Sequence, residues 1–381
     1  MRRISAVLLL CATFLPLSGC TLSVYNNYRE LERLQVIETA GLDAGEDGGV
    51  VLSVSSGRDA SGREPLRASA EAPSVTEAMQ RLQDLSRSDE LFFSGTGCIL
   101  IGEAAAAQTA RWLELVARSD SLRLDTPLFI VRGGEAAELV TQAGGEDGDI
   151  TQIMRALISL AEKSGPARIY TCADAARSLT ENGAALAGAV RPAEDASEQG
   201  GLTAELDGYA VLGPEGRLMG FIEGEDALGV GVFAGEPGRA ALTLGSGATA
   251  ELAGGSVELT PDWGADGALR GLGVRVSVEA IVTETLPGLD LSDEALRSAA
   301  EEELASRAGG WVYNIINMSS ELGLDFLGLG RRLELEHAAR WRALPEPWER
   351  LLPELELEVR ASARLLNARE FAKAPDWGGA S

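Results

Sequence analysis

The stretch ELELEVRASARLL (354–366) constrains the fold of this chain most. Leu355, Leu357, Val359, Ala361, Ala363 and Leu365 alternate without a break with charged or polar residues. A period of two sends successive side chains to opposite faces of a strand, so this segment has one dry and one wet face. VRVSVEAIV (274–282) repeats the pattern, with Val274, Val276, Val278 and Ala280 set against Arg275, Ser277 and Glu279. Such strands belong to mixed or antiparallel sheets whose dry face is covered by helices. The fold class that follows is α+β.

The remaining segments fit that class. VIETAGLD (36–43) and VVLSVSSG (50–57) read as two strands around the acidic turn AGEDGG. SVTEAMQRLQDLSRS (74–88) reads as a helix with a capping box, Ser74 and Glu77, and an apolar stripe of Val75, Met79, Leu82 and Leu85. LFFSGTGCILIG (91–102) and PLFIVRG (127–133) read as buried strands, separated by a helix carrying Trp112, Leu113, Leu115 and Val116. In DITQIMRALISLAEKSG (149–165), Ile150, Ile153, Met154, Leu157, Ile158 and Ala161 take the 3-4 spacing of a core-facing helix.

RPAEDASEQGG (191–201) reads as a linker. Beyond it, residues 208–235 read as a hairpin turning at Pro214-Glu215-Gly216, with GVGVFAG (229–235) as a tight bend between strands. GGSVELTPD (254–262) is a further strand. Residues 292–323 form a long helical region with an acidic opening that matches the helix dipole, and Gly309-Gly310 is the place where it would break or bend. The organisation expected is a signal peptide at 1–19, an N-terminal α+β domain at 20–190, a linker at 191–203, a middle β-rich domain at 204–265 and a C-terminal α+β domain at 266–372.

The first residues carry the compartment signal. Arg2 and Arg3 precede an apolar run from Ile4 to Leu17. A membrane-spanning helix needs roughly 20 apolar residues, so this run has the layout of a cleaved export signal. Leu17-Ser18-Gly19-Cys20 looks like a bacterial lipobox, which makes Cys20 the expected lipid attachment site and first mature residue. Two or more acyl chains hold a protein stably at a bilayer. The body would then sit tethered on the outer side of a cytoplasmic-type membrane. Its formal charge of −25 over 381 residues repels nucleic acid and anionic lipid, so no nucleic-acid partner is expected. Cys11 leaves with the signal. Cys98 and Cys172 read as core thiols, although export would permit a bridge between them.

Residue chemistry points away from catalysis, and no catalytic, cofactor or metal residue is expected. His337, the one histidine, lies in the charged segment RRLELEHAARW and reads as a surface or rim side chain. There is no G-x-S-x-G elbow and no H-E-x-x-H. The acidic turns AGEDGG (44–49) and AGGEDGD (143–149) lack the spacing of a calcium loop and read as solvated turns. Asp325 with Gly328 and Gly330 is the richest polar constellation. It reads as a carboxylate capping a turn whose glycines take positive φ, at a corner open to a subunit contact.

The order of segments resembles the C-subunit lipoproteins of bacterial spore-germination nutrient receptors, the Ger(x)C family. The lipobox is followed by YRELERLQVIETAGLD (28–43), similar to that family's Arg-Glu pair and a strand ending in Gly-x-Asp. In GYAVLGPEGRLMGFIEGEDALGVGVF, Arg217, Leu218, Gly220, Ile222 and Glu225 match its middle signature. In SSELGLDFLGLGRRL (319–333), Asp325, Gly328 and Gly330 match its third, followed by the Trp-containing WRALPEPWERLL. Two departures stand out: Thr21-Leu22-Ser23 replaces a Trp-Asp pair after the cysteine, and Leu366-Asn367-Ala368 lacks a final glycine. The resemblance implies a three-domain α+β lipoprotein on the outer face of the spore inner membrane. It also implies association with a multi-spanning A-type subunit and a transporter-like B-type subunit, and no enzymatic activity. The rival from another class is a solute-binding lipoprotein of an ABC-type importer, which would show repeated βα units in two lobes.

Overall fold

In the computed structural model, which describes residues 34–57, 65–86, 89–144, 149–163, 168–194 and 201–366, two sheets carry the chain. β1 (Leu34–Val36) runs parallel to β5 (Glu90–Phe92) as a small satellite pair. β2 (Thr39–Ala44) and β3 (Val50–Ser55) form the first hairpin, closed by a turn with Asp47 at φ 49° and Gly48 at φ 77°. β4 (Arg67–Ala72) follows, then α1 (Val75–Ser86), whose start is capped where the Glu77 N–H donates to Ser74 Oγ at 3.3 Å. α1 turns Val75, Ala78 and Leu82 inward and leaves Leu85 in solvent.

β6 (Cys98–Gly102), α2 (Thr109–Arg118), β7 (Leu128–Val131), α3 (Ala136–Gln142), α4 (Ile150–Lys163), α5 (Cys172–Asn182), β8 (Ala185–Glu194), β9 (Leu202–Leu212) and β10 (Leu218–Ile222) complete the first unit. Its eight-stranded sheet has the order β10-β9-β8-β7-β6-β2-β3-β4. The central strands β2, β6, β7 and β8 are parallel, and the flanking strands are antiparallel. β6 and β7 are covered on both faces, which is why they read as unbroken apolar runs. Ile99 and Ile101 face the core under α1, α2 and α5, while Cys98 and Leu100 face the one under α3 and α4.

The second unit contains α6 (Asp226–Ala234), β11 (Ala241–Thr243), β12 (Ala248–Trp263), β13 (Leu269–Thr285), α7 (Glu294–Leu322), α8 (Leu329–Glu336), α9 (Ala338–Trp341), α10 (Trp348–Leu351) and β14 (Glu356–Leu365). Its four-stranded sheet has the order β11-β12-β13-β14, antiparallel except for the parallel pair β13–β14. The alternation in the sequence is the alternation of faces. Val274, Val276, Val278 and Ala280 are buried in the core shared with α7, and Arg275 and Glu279 are exposed. That same core takes in Leu186, Tyr209, Val211 and Ile222 from the eight-stranded sheet. The two sheets therefore share one apolar interior.

Two expectations need correction. GVGVFAG is not a bend between strands but most of α6, a helix buried on nearly all sides and so without a polar face to betray its period. Its glycines serve close approach: a Cβ on Gly229 would fall 2.8 Å from the Trp311 carbonyl oxygen, and one on Gly231 2.7 Å from that of Glu236. Gly309-Gly310 does not break α7, which runs through both. A Cβ on Gly309 would lie 2.9 Å from that of Ala361, so this glycine lets the helix settle onto β14. Residues 191–194 and 202–203 belong to the ends of β8 and β9, with Arg191 opposite Glu205 and Glu194 opposite Leu202. β7 stops pairing with β8 at Val190. The hairpin overhangs the sheet from there, and an overhanging ribbon tolerates Pro192 and charged residues that otherwise look like a linker. Residues 204–265 are accordingly divided: β9 and β10 finish the first sheet, while α6, β11 and β12 open the second unit.

Because backbone, not a movable side chain, stands where the new methyl group would go, Gly229→Ala is expected to destabilise the protein by about 2 kcal/mol. Gly310→Ala, with no atom within 4 Å of its added Cβ, should instead raise stability by about 0.5–1 kcal/mol. Urea midpoints at constant slope compare the two.

Candidate functional site

The polar residues of the resembling segments converge on helix starts. Asp43, next to last in β2, is buried. Its Oδ1 accepts from the Ala136 N–H at 2.8 Å and its Oδ2 from the Ala137 N–H at 2.7 Å, so it caps α3 from a neighbouring strand. Gly41 and Gly102 make room for this. A Cβ on Gly102 would sit 2.0 Å from Asp43 Oδ1, and one on Gly41 3.0 Å from Val140. Burial pushes the Asp43 carboxyl up, against the two amide donors.

Asp325 does the same for α8. α7 ends at Gly323 in the left-handed region (φ 62°), and the chain reverses to Gly328 (φ 72°). Asp325 is 4% exposed. Its Oδ1 accepts from the Leu329 N–H at 2.7 Å, and its Oδ2 from the Gly330 N–H at 2.7 Å and Trp348 Nε1 at 2.9 Å. One carboxylate thus fixes the start of α8 and the position of α10. Gly330 is required because a Cβ there would meet Trp348 Nε1 at 2.7 Å. Burial pushes this carboxyl up as well, and the three N–H donors oppose the shift.

Glu225 ties α6 to α7. Arg307 Nη2 donates to its Oε1 at 2.5 Å and Trp311 Nε1 to its Oε2 at 3.0 Å, beside a bond from Asn314 to Asp226 at 2.9 Å. The Arg307 guanidinium holds the Glu225 carboxyl below the usual carboxylate range. The other residues of that segment are structural too: Ile222 is buried and Gly220 admits Met318, whose Cε would lie 3.3 Å from an added Cβ. Arg217 is exposed, and its carbonyl accepts from the Gly213 N–H at 2.8 Å.

Cys20, Arg29 and Glu30 lie outside the described residues. Cys98 and Cys172 are free, buried thiols in cores on opposite faces of the eight-stranded sheet, each pushed up to about 12 by burial. His337 is half-buried at the α8–α9 junction, edge-on to Trp263 with ring centres 6.3 Å apart. The turn at 143–149 is not wholly a solvated one. Asp149 is buried and caps α4, accepting from the Thr151 N–H and Ser55 Oγ, both at 3.0 Å. An aspartate directly before an apolar run of helical period is the signal that marks such a cap. Among the described residues no three His, Cys, Asp or Glu side chains gather as metal ligands, and no helix is long and apolar enough to cross a membrane.

A groove of about 500 Å³ lies between the two units, lined by α5, α6, α8 and β12. Three arginines border it, Arg168 and Arg177 just before and within α5 and Arg332 from α8. Arg332 stacks 5.3 Å over Phe233 and donates to the Val257 carbonyl at 2.8 Å. Arg168 stacks 5.4 Å over Tyr170, with Glu236 at 3.7 Å. Sequence patterns gave no sign of this grouping, because periodicity within one element says nothing of which elements will face each other.

Removing the Asp325 carboxylate strands three buried N–H donors, so Asp325→Ala should lower stability by about 3 kcal/mol in urea unfolding. Glu225 tests pH. Its folded-state pKa is depressed, so its contribution is present above its ordinary value of 4.5 and is lost as pH falls below it. Glu225→Gln should therefore cost about 0.5 kcal/mol at neutral pH, the half-exposed pair being screened, and progressively less as the pH is lowered below 4.5. Paired urea titrations at neutral pH and below pH 4.5 measure the difference.

Comparison with known proteins agrees along the chain. A family model described as the spore germination protein N-terminal domain matches residues 27–192, and one described as spore germination B3/GerAC like, C-terminal, matches 207–368. No curated protein matches. A crystal structure of the GerBC protein aligns with a TM-score of 0.56 at 17% identity, over 86% of this chain and 97% of that one. At that identity the likeness shows a shared α+β fold. With both halves matched in order, the chain belongs to the GerAC family of spore germination proteins, the C subunits of germinant receptors.

Proposed function

We propose that this chain is a non-enzymatic, lipid-anchored subunit of a spore nutrient receptor, and that it acts by assembly rather than by chemistry. The observation that carries this reading is the use made of its signature carboxylates. Asp43, Glu225 and Asp325 all accept from N–H groups that fix one element against another. Residues of a reactive centre would instead present free oxygen atoms to a cleft.

In this reading Cys20 receives the acyl chains that hold the body on the outer face of the spore inner membrane. Tethering raises the effective concentration of its faces toward a multi-spanning A-type subunit and a transporter-like B-type subunit. The rigid body then supplies contact surfaces that stabilise the receptor. The expected outcome for Cys20→Ala is loss of the protein from the membrane fraction of spores and slower nutrient-triggered germination. Full membrane retention with normal germination would contradict the reading.

A solute-binding lipoprotein of an importer is the second reading, and one feature favours it: the arginine-bordered groove has a volume in the range of small-molecule sites. Calorimetric titration of the full chain with a panel of amino acids and sugars separates the two. Tight binding would favour the importer component, and no heat the assembly role.

A further inference from the structure

Among the described residues β14 forms a margin of the four-stranded sheet and pairs on one side only, with β13. It is 10 residues long, with no bulge in its pairing and no proline. Natural sheet margins are usually shortened, bulged or covered, because unpaired N–H and C=O groups recruit another strand. Its dry side chains register a missing neighbour. Leu357, Val359, Ala361 and Ala363 are only half-buried although α7 lies over this sheet. Their register partners on β13, Leu272, Val274, Val276 and Val278, are no more than 2% exposed.

The Leu366 N–H donates to the Ala280 carbonyl on the paired side. By the alternation of a strand, the backbone groups of the odd-numbered residues from Leu357 to Leu365 then point away from β13. Glu301 takes the last of these, the Leu365 N–H, at 2.9 Å and so marks where the open margin stops. Along the wet face the charges run Glu356, Glu358, Arg360, Arg364, acidic at one end and basic at the other. Glu358 is held by its exposed neighbour Arg360 at 2.6 Å, and Arg364 has no ion-pair partner among the described residues.

We propose that β14 pairs with the β14 of a second copy of this chain, antiparallel about a twofold axis through Ala361, joining two four-stranded sheets into one of eight. The charges select that register. Glu358 of each copy falls opposite Arg364 of the other, Arg360 opposite Ser362, and on the dry face Val359 opposite Ala363. An axis at Arg360 sets that residue against its own counterpart, and an axis at Ser362 sets Arg360 against Arg364, both placing like charges directly opposite. An axis at Val359 sets Glu358 opposite Arg360, which already pairs with Glu358 in its own strand, and it shortens the paired stretch and leaves Arg364 beyond its end. The axis through Ala361 also lies beneath Gly309, so the two α7 helices flank it. There Gly310 has open space around it, and Tyr313, one turn on from Gly309, is 43% exposed.

Sedimentation equilibrium of the full chain in mild detergent tests this. The wild type is expected to dimerise, and Glu358→Arg or Arg364→Glu alone to raise the dissociation constant at least about tenfold. The double variant Glu358→Arg/Arg364→Glu restores opposite charges in reverse and should recover dimerisation to within about threefold of the wild type. Both substitutions are on exposed side chains, and matching circular dichroism of all three variants confirms that the fold is intact. A monomer up to about 100 μM overturns the proposal, as it would if another segment or another protein occupied β14. So does a dimer indifferent to the single reversals, or a folded double variant that stays monomeric.

Discussion

The contact on which the rest of this structure depends is the close approach of α6 to α7, made possible by Gly229. Without a side chain there, the helix backbone lies against the Trp311 carbonyl, and Glu225 can reach both Arg307 and Trp311. α6 begins just after β10, so its position also fixes how the eight-stranded sheet meets the four-stranded one. Tyr209, Val211 and Ile222 consequently pack into the same interior as Val312, Ile315 and Val276. Burial of this kind contributes roughly 25 cal/mol per Å² of apolar surface, and it is realised only if both units are in place.

Two buried acids and one exposed one sharpen that arrangement. Each binds N–H groups across elements, Asp43 from β2 to α3, Glu225 from α6 to α7, and Asp325 from the α7–α8 turn to α10, and Asp43 and Asp325 leave water to do so. An isolated buried carboxylate would be costly, and what offsets the cost is the set of fixed donors at a helix start. A body braced in this way is suited to present constant surfaces to neighbouring subunits.

Much of the fold was legible where one periodicity was clean. The wet and dry faces of β13 and β14, the core stripe of α4 and the turn at Pro214 follow from spacing alone. The Asp325 cap and the positive φ of Gly328 were legible too, whereas Gly330 lies inside α8 and is needed for the approach of Trp348 rather than for its φ. Elsewhere tertiary contact decided. GVGVFAG carries no helical face because α6 has almost no exposed side, and Gly309 looks like a breaker until β14 is seen beneath it. Asp149 was legible in principle as a cap, but the acidic run before it concealed its burial. The arginines of the groove could not be foreseen, since they meet only after both sheets have formed.

The central claim is that the two sheets fold and open as one body around a shared core. Native-state hydrogen exchange read by mass spectrometry tests it most directly, by comparing amides of β7 at 128–131 with those of α7 at 311–316 across a urea series. The account predicts that both sets merge into one opening free energy equal to that of global unfolding. An opening of α6 and α7 at much lower free energy, while β7 stays protected, would contradict it.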